Sequence, residues 1–246
     1  AEVRASGLAP NVITYSAAIS ACEKGGQWER ALSLLAEVRA SGLAPNVITY
    51  SAAISACEKG GQWERALSLL EEVRSSGVAP DVITFSAAIQ ACAAGGQPDR
   101  ATQLFLDIET AGLQPDSVSY SALLDATCTV YPPQARRHYL EAVRRGMYPQ
   151  ASGYKLDLHD HSEGAAETAV RWWLEDVIPQ RLEEADGAPP KRLTIVTGWG
   201  KTRAEHQTSD VRARVEAVLR EMGVPRAETD NPGRLLVDVA AWRESS

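Results

Sequence analysis

The sequence predicts an α-helical solenoid followed by a small α/β sandwich, and three observations carry that prediction. Residues 11–45 recur as residues 46–80 with changes only at Ala36/Glu71, Ala40/Ser75 and Leu43/Val78, so the unit is 35 residues long. A looser copy covers 81–115 and a degenerate one 116–150. After Gln150 the period is gone, and short strand-like segments alternate with helix-like ones. A fixed period of this size marks stacked supersecondary units, because one unit alone cannot bury its apolar face. The expected boundaries are a partial unit at 1–10, units at 11–45, 46–80, 81–115 and 116–150, and a separate domain at 151–246. Residues 1–10 match residues 36–45 letter for letter, so the chain reads as the C-terminal part of something longer.

Each unit resolves into two helices. An apolar run with Ala17, Ala18, Ile19 and Cys22 follows Thr14 and Ser16 and is stopped by Lys24-Gly25-Gly26, as Gly just past a helix end should do. From Trp28 to Ala40, the residues Ala31, Leu32, Leu35 and Val38 fall on one helical face, and Gly42 and Pro45 close the unit. Unit four departs from this pattern. Its Gly-Gly turn is replaced by Val130-Tyr131-Pro132-Pro133, and Arg136, Arg137, Arg144 and Arg145 enter, so it reads as a cap with arginines in solvent or on a ligand.

Cys22, Cys57, Cys92 and Cys128 recur about once per unit. That pattern fits buried reduced thiols on stacked helices better than a disulfide framework or a metal site. Residues 1–150 carry 12 Lys/Arg against 15 Asp/Glu and residues 151–246 carry 13 against 17, which gives −3 and −4, the −7 of the whole chain. Neither part offers the basic excess on which nonspecific nucleic-acid binding rests. No stretch approaches the roughly 18 apolar residues of a membrane span, so no membrane partner is expected.

The repeats resemble the pentatricopeptide family. The likeness rests on Val-Ile-Thr-Tyr-Ser at 12–16 and 47–51, Val-Ile-Thr-Phe-Ser at 82–86, the Cys-x-Lys-Gly turn, Glu-Arg-Ala-Leu in the second helix, and the closing Gly-x-x-Pro-Asn/Asp. Tetratricopeptide units, which bind peptides, run about 34 residues instead. The resemblance implies single-stranded RNA as partner, one base per repeat read by two polar side chains. Those pairs are Ser16 with Asn46, Ser51 with Asp81, and Ser86 with Asp116, implying adenine for the first and guanine for the next two. Ile13, Ile48, Ile83 and Val118 stand where the family wedges an aliphatic between bases, and packing between repeats is the competing expectation. Lys24 and Lys59 stand where it meets phosphate, with Ala94 there in unit three.

In the second domain, 154–159 and 192–197 read as strands, 163–182 and 209–222 as helices with Ser209 capping the latter, and 234–239 as a last strand in a hairpin with 227–230. Asp157 and His159 lie two apart, hence on one face of a strand, where an acid can orient an imidazole for proton transfer. Thr197-Gly198-Trp199-Gly200-Lys201 is a glycine loop whose amides and lysine suit a phosphate and whose Trp199 can stack on a base. His161 reads as an exposed turn residue, and one of Trp172 and Trp173 belongs in the core. Over 154–242, Leu156-Asp157-Leu158-His159 and Thr197-Gly198-Trp199-Gly200 resemble the Smr (small MutS-related) domain of plant-type pentatricopeptide–Smr proteins. The resemblance implies RNA endonuclease activity through Asp157 and His159, with Gly198, Trp199, Gly200, Lys201 and Arg203 binding the substrate. No spacing demands a cofactor, and Asp157, His159, Asp160 and His161 offer at most a loose seat for hydrated Mg²⁺. The expectation is a sequence-guided RNA-processing protein of chloroplast or mitochondrion. A non-cutting RNA clamp and a scaffold for protein partners are the alternatives.

Overall fold

Asn11, Asn46, Asp81 and Asp116 begin the four repeats, and each does the same local job. Their side-chain oxygens accept the amides of Thr14, Thr49, Thr84 and Ser119 at 2.8–3.0 Å, satisfying donors that have no partner inside the helix. The computed structural model, which describes residues 10–184, 190–198, 210–231 and 233–245, places the first helices at Val12–Lys24 (α1), Val47–Lys59 (α3), Val82–Ala94 (α5) and Ser117–Thr127 (α7). The second helices are Trp28–Ala40 (α2), Trp63–Ser75 (α4), Pro98–Thr110 (α6) and Pro132–Arg144 (α8). Between them the second Gly of each Gly-Gly pair (Gly26, Gly61, Gly96) sits at φ +63 to +66, so that the next amide can return to the Cys22, Cys57 or Cys92 carbonyl. Ala31, Leu34, Leu35 and Val38 form the buried stripe of α2; Leu34 takes the place expected of Leu32.

Neighbouring repeats are keyed by large-into-small contact. The Trp28 ring lies on Gly60 and the Trp63 ring on Gly95, and a Cβ added at either glycine would come within 2.2–2.3 Å of the indole. Arg65 then covers the Trp28 ring at 4.6 Å, and Arg100 covers Trp63 at 5.0 Å. Outside these contacts lie ion pairs between repeats: Lys59 with Glu23, Arg39 with Glu72 and Arg74 with Asp107, each at 2.5 Å. Cys57 and Cys92 are buried and unbridged, and burial pushes both thiols up to about 11.

The chain divides into two compact units after Ala126. Helix α8 belongs to the second unit, so the boundary falls earlier than the loss of the 35-residue period suggests. The reason lies in side chains: the Tyr139 ring of α8 packs 5.9 Å from Trp172, and Arg136 pairs with Glu175 and with Asp176. Arg136 is therefore tied into this unit, where the sequence suggested solvent or a ligand.

The second unit is built on strands Lys155–Asp157 (β1), Arg192–Val196 (β2), Arg226–Ala227 (β3) and Arg234–Asp238 (β4), in the order β1-β2-β4-β3. β1 runs parallel to β2, while β4 is antiparallel to both β2 and β3. Leu156, Leu193, Ile195, Leu235 and Val237 alternate with more exposed residues, so one sheet face makes the core. Helices Glu163–Trp172 (α9), Ile178–Glu183 (α10), Asp210–Glu221 (α11) and Val239–Ser245 (α12) complete it. The helix expected over 163–182 is broken by a π turn at Trp173–Val177, which carries the fully buried Trp173. Ser209, expected as a cap, lies outside the described residues. Among those described, no helix is long and apolar enough to cross a membrane.

Candidate nucleic-acid interface

Each repeat presents one aliphatic side chain in the first turn of its first helix. Ile13 is 72 % exposed, Ile48 61 %, Ile83 64 % and Val118 44 %. Packing between repeats would have buried them, so the structure decides against that expectation. Beside each lies the Asn or Asp cap, whose Oδ1 takes the helix amide and whose second polar atom is left over: an Nδ2 donor at Asn46, an Oδ2 acceptor at Asp81 and Asp116.

The serines of the expected pairs stand differently. Ser16, Ser51 and Ser86 are buried. The Ser16 hydroxyl lies 2.8 Å from the Val12 carbonyl and 2.7 Å from Thr49 Oγ1, and Thr49 in turn lies 2.9 Å from Asn46 Oδ1. Ser51–Thr84–Asp81 and Ser86–Ser119–Asp116 repeat the arrangement. Each serine is thus linked to its paired Asn or Asp through a hydroxyl of the following repeat. This link was not legible in the sequence, because the serine and the hydroxyl it meets are 33 residues apart. Lys59 is exposed but paired with Glu23, an interaction worth about 0–1 kcal/mol that a phosphate can displace.

In the second unit, parallel pairing of Asp157 with Val196 sets the C-terminal ends of β1 and β2 side by side, where α/β sheets bind their ligands. His159 follows β1, and its Nδ1 lies 2.5 Å from Asp157 Oδ1, which also accepts the His159 amide at 3.2 Å. Partial burial pushes the Asp157 carboxyl up, but the His159 ring and amide outweigh it and hold the group below its ordinary value. The charged carboxylate can accept an Nδ1–H of the ring, the tautomer in which Nε2 carries the lone pair. Gly198, at the end of β2, has φ +77, and a Cβ there would stand 3.3 Å from His159 Cδ2 and 3.5 Å from Nε2. The two sequence motifs meet at this point. Trp199, Gly200, Lys201 and Arg203 lie outside the described residues.

His161 is buried, contrary to its expected exposure. Its Nδ1 lies 3.0 Å from the His159 carbonyl, its Nε2 lies 3.2 Å from the Tyr139 hydroxyl, and Tyr148 stacks on its ring at 4.4 Å. With both nitrogens engaged it is no metal ligand; among the described residues, no three His, Cys, Asp or Glu side chains converge as a metal site. Burial lowers the His161 pKa. Folded protein therefore binds fewer protons at this ring than unfolded chain does, and stability falls as pH drops below about 6.5. We expect acid titration of the urea midpoint to show that slope, and His161→Gln to flatten it.

A pentatricopeptide repeat domain model matches residues 1–60 and 68–129, and a single-repeat model matches 48–78. The repeat region belongs to the pentatricopeptide repeat family. Among curated proteins, the chain is 37% identical over 99 residues to a pentatricopeptide repeat-containing protein, At1g18900, of Arabidopsis thaliana, covering 37% of this chain and 11% of that protein. It therefore spans about a tenth of this relative's length. Among solved structures it is similar to the pentatricopeptide protein PPR10 in complex with an 18-nucleotide psaJ RNA element (TM-score 0.55, 19% identity), covering 90% of this chain and 27% of that one. It is also similar to the pentatricopeptide domain of Arabidopsis thaliana protein-only RNase P 1 in complex with tRNA (TM-score 0.53, 14% identity), covering 87% of this chain and 90% of that one. At these identities the structural likeness carries the fold of the pentatricopeptide solenoid.

Proposed function

We propose that this protein holds single-stranded RNA along its pentatricopeptide repeats and cuts RNA with its second unit, an Smr domain. The observation that carries the first half is the periodic, exposed Ile13/Ile48/Ile83/Val118 row beside caps that each keep one polar atom in reserve. Bases can lodge between successive aliphatics, one per repeat, while the reserved atom meets the base edge. The Asn46 Nδ2 donor suits an edge that presents an acceptor, as adenine N1 does. The acceptors of Asp81 and Asp116 suit the N–H groups of guanine. The solved relatives bound to psaJ RNA and to tRNA support RNA as the ligand class.

For the second half, His159 Nε2 takes the proton of a ribose 2′-hydroxyl, whose oxygen attacks the adjacent phosphorus. The P–O5′ bond breaks, leaving a 2′,3′-cyclic phosphate and a 5′-hydroxyl that collects a proton. Asp157 keeps the ring in the required tautomer, the loop from Gly198 receives the phosphate, and Lys201 and Arg203 offset its charge. A chloroplast or mitochondrion is the proposed compartment, on the likeness to plant pentatricopeptide proteins.

The experiment is incubation of the chain with a labelled single-stranded RNA pool at two salt concentrations, with and without Mg²⁺. Discrete cuts with salt-sensitive retention uphold the proposal. Retention without cutting would leave an RNA clamp, and no retention at low salt would point to a protein scaffold. The base assignment has its own check. Asn46→Asp should exchange adenine for guanine in the selected sequences at one position, with a discrimination of about 1–3 kcal/mol by analogy with good side-chain–base pairs, read by competition binding.

A further inference from the structure

Between β1 and Ser162, which caps α9, the chain makes a tight turn that carries the proposed base. The Leu158 amide still belongs to the sheet, meeting the Val196 carbonyl at 2.8 Å, and the His161 amide returns to the Leu158 carbonyl at 3.2 Å. His159 and Asp160 are therefore the central residues of the turn. Asp160 has φ +62, in the left-handed region that side chains other than glycine rarely adopt. The hydrogen bond that closes the turn does not hold the peptide between its two central residues. Were that peptide to rotate, Asp160 would regain an ordinary negative φ, and ψ of His159 would change with it.

The His161 ring holds that peptide. Its Nδ1 lies 3.0 Å from the His159 carbonyl, which can only accept, so this bond puts the ring proton on Nδ1. Nε2 is then left to accept from the Tyr139 hydroxyl at 3.2 Å. Burial favours the neutral ring that this arrangement needs. Tyr148 stacks on the imidazole at 4.4 Å and on Tyr139 at 5.5 Å, and none of the three side chains is more than 6 % exposed. A half-turn of the imidazole would give up both hydrogen bonds.

We propose that His161 is a positioning residue for His159: it grips the His159 carbonyl, is itself held by Tyr139 of α8, and so fixes the turn on which the base stands. The proposal rests on the reading of His159 as the base of an RNA-cutting site. Helix α8, which the sequence reads as part of a repeat, thereby reaches the proposed cutting site through one imidazole.

The test separates the two nitrogens of His161 in the full chain. In His161→Asn the amide can donate to the His159 carbonyl in place of Nδ1 but falls short of Tyr139. In His161→Gln the longer amide can meet Tyr139 in place of Nε2 but not the carbonyl. Both variants lose the stack on Tyr148, so their thermal midpoints should fall together. His161→Gln is expected to lower kcat on a labelled RNA by roughly 10²-fold at unchanged KM, the scale set by a misplaced reacting group, while His161→Asn keeps most of the rate. Nitrogen NMR of the His159 ring should find the wild-type tautomer in His161→Asn and its loss in His161→Gln. Ring signals in His161→Gln that match the wild type would overturn the proposal, as would equal kcat for the two variants. If the wild-type chain cuts no RNA, the nuclease reading falls alone, because the His159 ring signals still decide the role of His161.

Discussion

On the proposed mechanism, His159→Ala is expected to slow RNA cleavage by about 10²–10⁴-fold for loss of a general base, and to leave RNA retention unchanged. Cleavage of a labelled RNA is measured beside filter retention of the same RNA. Asp157→Asn should act through the same ring. The amide can donate to Nδ1, so the proton moves to Nε2, and the group facing Gly198 is no longer a base. Rate then falls with little change in KM. Equal cutting by the wild type and His159→Ala would sink the nuclease and leave the clamp. Because the two residues act as one unit, the double variant should be no worse than His159→Ala alone.

Gly60→Ala is expected to have the largest effect on stability. The new methyl would stand 2.2 Å from Trp28 Cδ1, so either the indole or the backbone between repeats must move, at about 1–3 kcal/mol. The midpoint of urea unfolding reads the loss. The decisive control is Trp28→Ala in the same background: with the ring gone the Gly60→Ala penalty should nearly vanish, whereas a purely helical effect of alanine would persist. Gly95→Ala with Trp63→Ala should repeat the result one repeat further on, because the same pair of contacts recurs there.

The helices were legible because they rest on local rules that recur within each period. The Asn or Asp cap, the Gly-Gly stop and the apolar stripe of α2 all act within a few residues. The strands β2 and β4 were legible from alternation within about a residue at their ends. Asp157 and His159 were expected side by side on one strand, but β1 ends at Asp157 and the turn beyond it brings the His159 amide and ring back onto the carboxylate. What the sequence hid depends on distant partners. Helix α8 reads as repeat-like, yet its Tyr139 belongs under His161 and its Arg136 against Glu175 and Asp176. The burial of His161 follows from Tyr139 and Tyr148, which no local pattern announces. Ser16, Ser51 and Ser86 were expected to face a base, but their hydroxyls are committed to the next repeat, a fact carried only by stacking.

That commitment bears on how such repeats can be recombined. The hydroxyl of Ser16 touches the Thr49 hydroxyl that steadies the Asn46 carboxamide, so under the proposed base reading the letter at one position would depend on a side chain owned by the preceding repeat. Ser16 has one proton for two neighbours, Val12 and Thr49, and Thr49 has one for Ser16 and Asn46. Whichever way these protons settle, the caps along the solenoid inherit the choice. A repeat transplanted into a foreign array would carry its own cap but not the serine behind it. Its spelling would then shift with its neighbour, and the smallest portable word is a pair.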